Sequence, residues 1–181
     1  MINHLNHLSY KNEYKFIFTF DEDDEKMNND DIRNFIKNLN IDYEIFYGNS
    51  KTKIEAINNN LENQDFDILI LLQDDMIAEL KNYDEVICDI FYKSENNLDC
   101  VIHFNTSTWS NLLDIWCVMG KKYYDRFNYI YNPNYKSIVA DNEYTEVSRL
   151  LDKNIFSELC PFFHNHNPND EIGEKNNEFI S

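Results

Sequence analysis

The segment DILILLQDDM, residues 67–76, runs five aliphatic side chains, Ile68 to Leu72, into Gln73 and two adjacent carboxylates, Asp74 and Asp75. An apolar run with no polar alternation reads as a strand buried on both faces, as in a parallel sheet covered by helices. In such sheets ligands gather beyond the carboxyl ends of the strands. Two neighbouring acids repel each other unless a cation or solvent offsets them. The segment therefore reads either as a metal-dependent phosphate site or as a polar loop that ends a strand.

Upstream, Lys15–Phe20 (KFIFTF) is a second β-rich run that ends in acid, at Asp21, Glu22, Asp23, Asp24 and Glu25. As parallel neighbours, these two strands would bring both acidic groups to one sheet edge. The simpler reading of DEDDE is a solvated loop before a helix. Asn29 or Asp30 suits the N-cap of a helix through Leu39, with Ile32, Phe35, Ile36 and Leu39 at helical spacing. Asp42–Tyr47 is a strand closed by the turn Gly48–Asn49–Ser50, and Lys51–Asn63 is a helix with Ile54, Ile57 and Leu61 on one face. This alternation predicts an α/β domain with a mainly parallel central sheet, right-handed crossovers and flanking helices.

Downstream, Leu80–Tyr92 reads as a helix with Val86, Ile87, Ile90 and Phe91 apolar, and Leu98–Phe104 as a strand. A polar loop, Asn105–Ser110, carries Trp109. Trp116, Tyr123, Tyr124, Phe127, Tyr129, Tyr131 and Tyr135 then crowd together. Such rings can stack on sugars, but core packing is their commoner use. Ala140–Leu151 is a helix with Asp141 placed as an N-cap and Val147, Leu150 and Leu151 facing inward. In FFHNHNP, residues 162–168, His164 and His166 lie two apart and on an extended segment point the same way. That pair suits either metal ligation through neutral imidazole or a surface loop. Asn169–Ser181 reads as a polar, mobile tail.

A chain of 181 residues suits one domain, here 1–168, and can bury about 70% of its unfolded surface. With 43% hydrophobic and 15% aromatic residues it has material for a packed core. A formal net charge of −17 argues against nucleic acid or an anionic membrane as partner. An acidic protein that binds a phosphorylated small molecule needs a local positive source, and a divalent cation is the usual one. Only three glycines are present, too few for a G-x-G-x-x-G fingerprint or a P-loop. Cys88, Cys100, Cys117 and Cys160 are scattered, which fits buried reduced thiols better than a zinc cluster or disulfide framework. No apolar run approaches the ~20 residues of a membrane span and no signal-peptide pattern opens the chain, so a soluble cytoplasmic protein is expected.

Taken in order, these pieces resemble a nucleotide-sugar glycosyltransferase of the GT-A fold, similar to glycosyltransferase family 2. TFDEDD corresponds to the family's first acid-ended strand, and KIEAIN looks like its A-x-N-x-G helix. LLQDDM stands where the family carries a D-x-D or D-D metal motif. ADNEYTEVSRL resembles its E-D-x-[DE]-L-x-x-R segment, and FFHNHNP its late histidine. The resemblance spans residues 15 to 168. Two departures stand out: the acidic motif lacks the spaced second acid, and the first strand lacks a Pro-x-Asn ending. The chain is also short for the family, which leaves an acceptor side that is small or completed by another protein.

The resemblance implies a GT-A (Rossmann-like) single domain that moves a sugar from a UDP- or GDP-sugar to a hydroxyl of a carbohydrate or other acceptor. It implies that Asp75, with Asp74, binds Mn²⁺ or Mg²⁺ and that His164 or His166 completes the coordination. Asp74 could instead hold the ribose hydroxyls. Asp21, Asp23 and Asp24 would border the nucleoside, and Lys53 and Asn58 would contact donor groups. Asp141 would be the general base of an inverting displacement, with Glu143 in reserve or positioning the acceptor. The alternatives are a nucleotidyltransferase on a related fold and a non-catalytic acidic module that binds metal or carbohydrate.

Overall fold

A computed structural model of the chain describes residues 1–106 and 112–165. The architecture is mixed α/β. Chain order runs α1 (Ile2–Leu5), β1 (Lys15–Asp21), α2 (Asp30–Lys37), β2 (Asp42–Gly48), α3 (Lys53–Asn58), β3 (Ile68–Ile70), β4 (Met76–Ala78) and α4 (Tyr83–Lys93). It continues with β5 (Val101–Phe104), β6 (Val118–Gly120), α5 (Lys121–Tyr124), α6 (Ala140–Leu150), β7 (Asn154–Ser157) and β8 (Phe162–His164).

The central sheet has the order β3-β6-β5-β7. Side chains alternate across it with the strand period of two, and each face seats its own apolar cluster. Cys100, Ile102, Phe104, Trp116 and Val118 face one side, where Tyr83, Ile87 and Phe91 of α4 and Phe162 of β8 cover them. Leu69, Val101, Cys117 and Met119 face the other, against Ile54 of α3, Tyr123 and Tyr124 of α5, and Ala140 and Tyr144 of α6. The expectation for ILILL holds in part: Ile68, Ile70 and Leu72 pack on one cluster and Leu69 and Leu71 on the other, but only Leu69 is buried and β3 lies at the edge of the sheet. The aromatic segment is core too: Trp116, Tyr123, Tyr124 and Tyr131 are all buried.

One mainly parallel sheet is not what the chain builds. Among the described residues there are three sheets: parallel β1–β2, the four-stranded sheet, and antiparallel β4–β8. Within the central sheet β6 runs antiparallel to both β3 and β5, and only β5–β7 is parallel. The five residues between β3 and β4 are too few for the crossover of about a dozen that a parallel neighbour needs, so the chain leaves the central sheet there and β4 pairs with β8 instead. The two acid-ended strands are accordingly not hydrogen-bonded neighbours, since β1 pairs with β2 and β3 with β6.

Local signals set most helix ends. The Asn29 side chain caps α2 by accepting from the Ile32 amide at 3.0 Å, and Thr52 caps α3 through the Glu55 amide at 3.1 Å. Asn82, at φ 56°, delays α4 to Tyr83. With glycine scarce, asparagine occupies left-handed positions at Asn40, Asn60, Asn82, Asn97 and Asn128, the residue type that tolerates them best after glycine. Gly120 is needed for closeness instead: a Cβ there would meet the Leu98 carbonyl oxygen at 2.1 Å.

Two inward-facing assignments are corrected. Leu150 is 84% exposed and Leu151 is exposed as well, while the buried face of α6 is Ala140, Tyr144, Thr145 and Ser148. Thr145 and Ser148 belong inside because their hydroxyls are used: Thr145 Oγ1 donates to Asp141 O at 2.7 Å and Ser148 Oγ to Thr145 O at 2.8 Å. Phe35 of α2 is also exposed, leaving Ile36 as the buried residue of that helix. Cys100 and Cys117 are buried thiols, Cys88 is half-buried and Cys160 is exposed. No helix among the described residues is long and apolar enough to cross a membrane.

Candidate functional site

The QDD turn is set by backbone bonds on both sides. Beyond β3, the Leu71 amide donates to Cys117 O at 2.9 Å, which carries the strand alongside the 114–117 segment. The chain then reverses through a turn in which the Met76 amide donates to Gln73 O at 3.2 Å, and leaves as β4. β4 pairs antiparallel with β8 in the register Met76↔His164, and the Asn165 amide donates to Asp75 O at 2.8 Å.

This pairing brings together two residues that lie 89 positions apart. His164 Nε2 sits 2.8 Å from Asp75 Oδ2. The Trp116 indole stands edge-on to the imidazole, with ring centres 5.7 Å apart. The second carboxyl oxygen of Asp75, Oδ1, is buried and has no hydrogen-bond partner among the described residues. Side-chain exposures of 40% for His164 and 35% for Asp75 leave the pair reachable from solvent, and screening at that exposure limits its worth as a stabilising contact. Asp74 is exposed beside it. From α3, Lys53 Nζ donates to Gln73 Oε1 at 3.0 Å, placing an ammonium at the same turn.

The other predicted residues divide. Asp21 and Asp23 are exposed, and Asp24 Oδ1 accepts the amides of Lys26 at 2.9 Å and Met27 at 3.2 Å. The acidic run thus closes its own turn after β1, the solvated-loop reading. Asn58 is committed to the fold: its Oδ1 accepts the Ile130 and Tyr131 amides at 2.8 and 3.1 Å, and its Nδ2 donates to Tyr131 O at 2.6 Å. Trp109, His166 and the tail lie outside the described residues.

Asp141 is not the N-cap of α6. Val139 holds that position in a left-handed conformation, φ 65°, without a side-chain cap. A β-branched residue there is strained, and the strain sits two residues before the proposed base. Among the described residues Asp141 Oδ1 accepts the adjacent Asn142 amide, at 3.0 Å. Glu143 lies roughly 160° away around the helix, given 3.6 residues per turn. Its Oε1 accepts from Asn132 Nδ2 at 2.9 Å, beside an open recess lined by Tyr123, Phe127, Tyr129 and Tyr144. Asp141 and Glu143 therefore serve different faces.

The segment Asp114-Ile115-Trp116-Cys117 was not among the predicted site residues, yet it joins the parts. Cys117 O receives the strand that leads to the QDD turn, and Trp116 touches His164. The Asp114 amide donates to Thr145 Oγ1 at 3.0 Å on α6. The Asp114 side chain is fully buried, and its carboxyl makes no well-formed hydrogen bond among the described residues. Burial pushes its pKa far above the usual carboxylate range; the Trp116 amide and Arg149 oppose this and Asp141 adds to it. The signal available in the sequence was one acid inside the apolar run LLDIWCVM.

Asp75 and His164 supply an oxygen and a nitrogen donor to one point, a pairing that suits Mn²⁺ or Mg²⁺, with the nitrogen favouring manganese. The orphaned Asp75 Oδ1 fits the same demand. Among the described residues no group of three or more His, Cys, Asp or Glu side chains could hold an ion. The protein could supply two donors here, and substrate oxygens and water would have to supply the rest. In comparisons with known proteins, no family model, no curated protein and no solved structure matches this chain.

Proposed function

We propose that the protein is a metal-dependent glycosyltransferase, built on a GT-A-like arrangement, that moves a sugar from a UDP- or GDP-sugar to an acceptor hydroxyl. The observation that carries this reading is the meeting of Asp75 and His164 at 2.8 Å. The resemblance assigns Asp75 and one of His164 and His166 to the metal, and Asp75, in the turn before β4, meets His164 of β8 across 89 positions of sequence.

In this reading Asp75 and His164 hold Mn²⁺ or Mg²⁺, which when bound offsets the charge of the donor diphosphate and of the departing nucleotide. Lys53, tethered to Gln73, adds a second positive charge at the same strand end. Asp74, exposed on the turn, is placed to accept hydrogen bonds from the ribose hydroxyls. Asp141 takes the acceptor proton as the acceptor oxygen attacks the anomeric carbon, a step in which a general base contributes about 10²–10⁴-fold. Glu143 and the aromatic recess beside it face another way and take no part in that proton transfer.

The test is a thermal-shift panel of nucleotide sugars with and without Mn²⁺, on the wild type, Asp75→Ala and His164→Ala. A donor at ~100 times its Kd stabilises by about 2.7 kcal/mol, a rise of roughly 5–10 °C for a chain of this size. The expected result is one donor that stabilises only with metal, lost in both variants. If no donor shifts the wild type with or without metal, the pair is a clasp and the enzyme reading falls.

A further inference from the structure

The first dozen residues do unusual work on β4. A strand sends its backbone groups alternately to its two sides, and each buried group needs a partner. On one side β4 is answered by β8, from the Asp75 carbonyl onward. On the other side no strand pairs with it among the described residues; side chains answer instead. Asn3 Oδ1 accepts the Ala78 amide at 2.6 Å while Asn3 Nδ2 donates to Ala78 O at 3.1 Å. His4 Nε2 lies 2.8 Å from Met76 O; a carbonyl only accepts, so the ring carries its proton on Nε2. Further on, the Asn82 amide donates to His7 O at 2.7 Å, and Ser9 and Asn12 bind the Asp84 carboxylate at 2.7–3.0 Å.

His4 is the vulnerable point of this arrangement. The residue is buried, with its ring edge-on to Tyr83 of α4 and tilted against Phe162 of β8, both at 6.0 Å. Its Nδ1 is buried with no acceptor in reach among the described residues. Protonation would put a charge and an unanswered N–H into an apolar site. Around the ring stand Met76 O on β4, Tyr83 on α4 and Phe162 on β8, with His7 and the Met1 amino group on its own segment. None of these is an anion. Burial lowers its pKa, only the Met76 carbonyl opposes, and the Met1 amino group and His7 add to the lowering.

We infer that residues 2–12 are an acid-sensitive latch on β4, held shut by neutral His4, whose release loosens the strand that carries Asp75 to His164. The sign follows from linkage. A histidine that binds its proton less readily folded than unfolded leaves the latch intact above about pH 6.5 and weakens it as pH falls below that value. Asp84, the other titratable anchor, stays ionised throughout that window: burial works against its charge, but the Ser9 and Asn12 hydrogen bonds prevail and hold it below the usual range.

The experiment is hydrogen exchange by mass spectrometry on the whole chain at pH 7.5 and 5.5, corrected for intrinsic rates. The variant is His4→Gln, whose amide can still donate to Met76 O but does not titrate. In the wild type, peptides spanning 2–12 and 76–80 should exchange about threefold or more faster at pH 5.5, and the His4→Gln peptides should not change. Equal acid sensitivity in both, or none in the wild type, overturns the latch. Should His4→Gln not fold, ring-proton NMR of the wild type decides. His4 must titrate below the ordinary imidazole value, and a His4 midpoint at or above about 6.5 rejects the inference.

Discussion

β1 and β3 carry the same signature, an apolar run that ends in carboxylates, and the fold treats them oppositely. After β1 the acids face solvent, and Asp24 turns back on the amides two and three residues ahead of it. After β3, Asp75 meets His164 and keeps one oxygen buried and unpaired. What separates them is the neighbourhood each strand end enters. Among the described residues β1 pairs with β2 only, whereas β3 pairs with β6, Leu71 continues that edge to Cys117, and the turn that follows meets β8. An acidic cluster thus becomes a candidate site when distant elements converge on it; a cluster that satisfies itself locally remains a turn.

The largest break in that contrast should come from Trp116→Ala. The indole is 2% exposed and packs on both Phe162 and His164. Its loss should cost about 3–5 kcal/mol by urea denaturation and disorder the β3 site while leaving the β1 turn as it is. Smaller, and of opposite sign, is Asp114→Asn. Because folding raises the Asp114 pKa, its contribution to stability is greatest at acid pH and declines as pH rises above the ordinary carboxylate value. Asp114→Asn should therefore gain on the wild type in urea midpoint between pH 4 and pH 8. A constant offset across that range would show that Asp114 is ionised in the folded protein.

Asp75→Asn should change stability by no more than about 1 kcal/mol, since the pair is partly exposed, yet remove any metal-dependent donor binding. A loss of several kcal/mol would mark the pair as structural. The smallest effect belongs to Asp21→Asn combined with Asp23→Asn, within about 0.5 kcal/mol in thermal melts and without consequence for ligand binding. If that double variant abolishes donor binding, the two strand ends are equivalent after all and the contrast fails.

Legibility followed the range of the interactions involved. The Asn29 cap, the β2 strand, the two-faced packing of ILILL and the aromatic core were readable because each depends on local chemistry or on a clear apolar pattern. β4, β6 and β8 were not read as strands, since three residues are too few to display a period; β3, equally short, was legible through the aliphatic run that contains it. The inward face of α6 was misread because two of its buried residues, Thr145 and Ser148, are polar and earn their place by hydrogen bonds that hydropathy does not register. His4 and Asn3 looked like members of a polar opening segment, although their side chains complete a strand.

Composition and pattern alone settle that this chain is an acidic α/β protein with an aromatic core and an aliphatic run that ends in carboxylates. These properties are additive over neighbouring residues, so a linear string carries them. Which carboxylate acquires a histidine, which acid is sealed away from water and which strand edge is closed by side chains are decided by contacts spanning about 30 to 90 positions. Those contacts exist only after β6 has entered the sheet antiparallel and β8 has returned to β4. A chemically meaningful separation of 2.8 Å between Asp75 and His164 is a property of that closure.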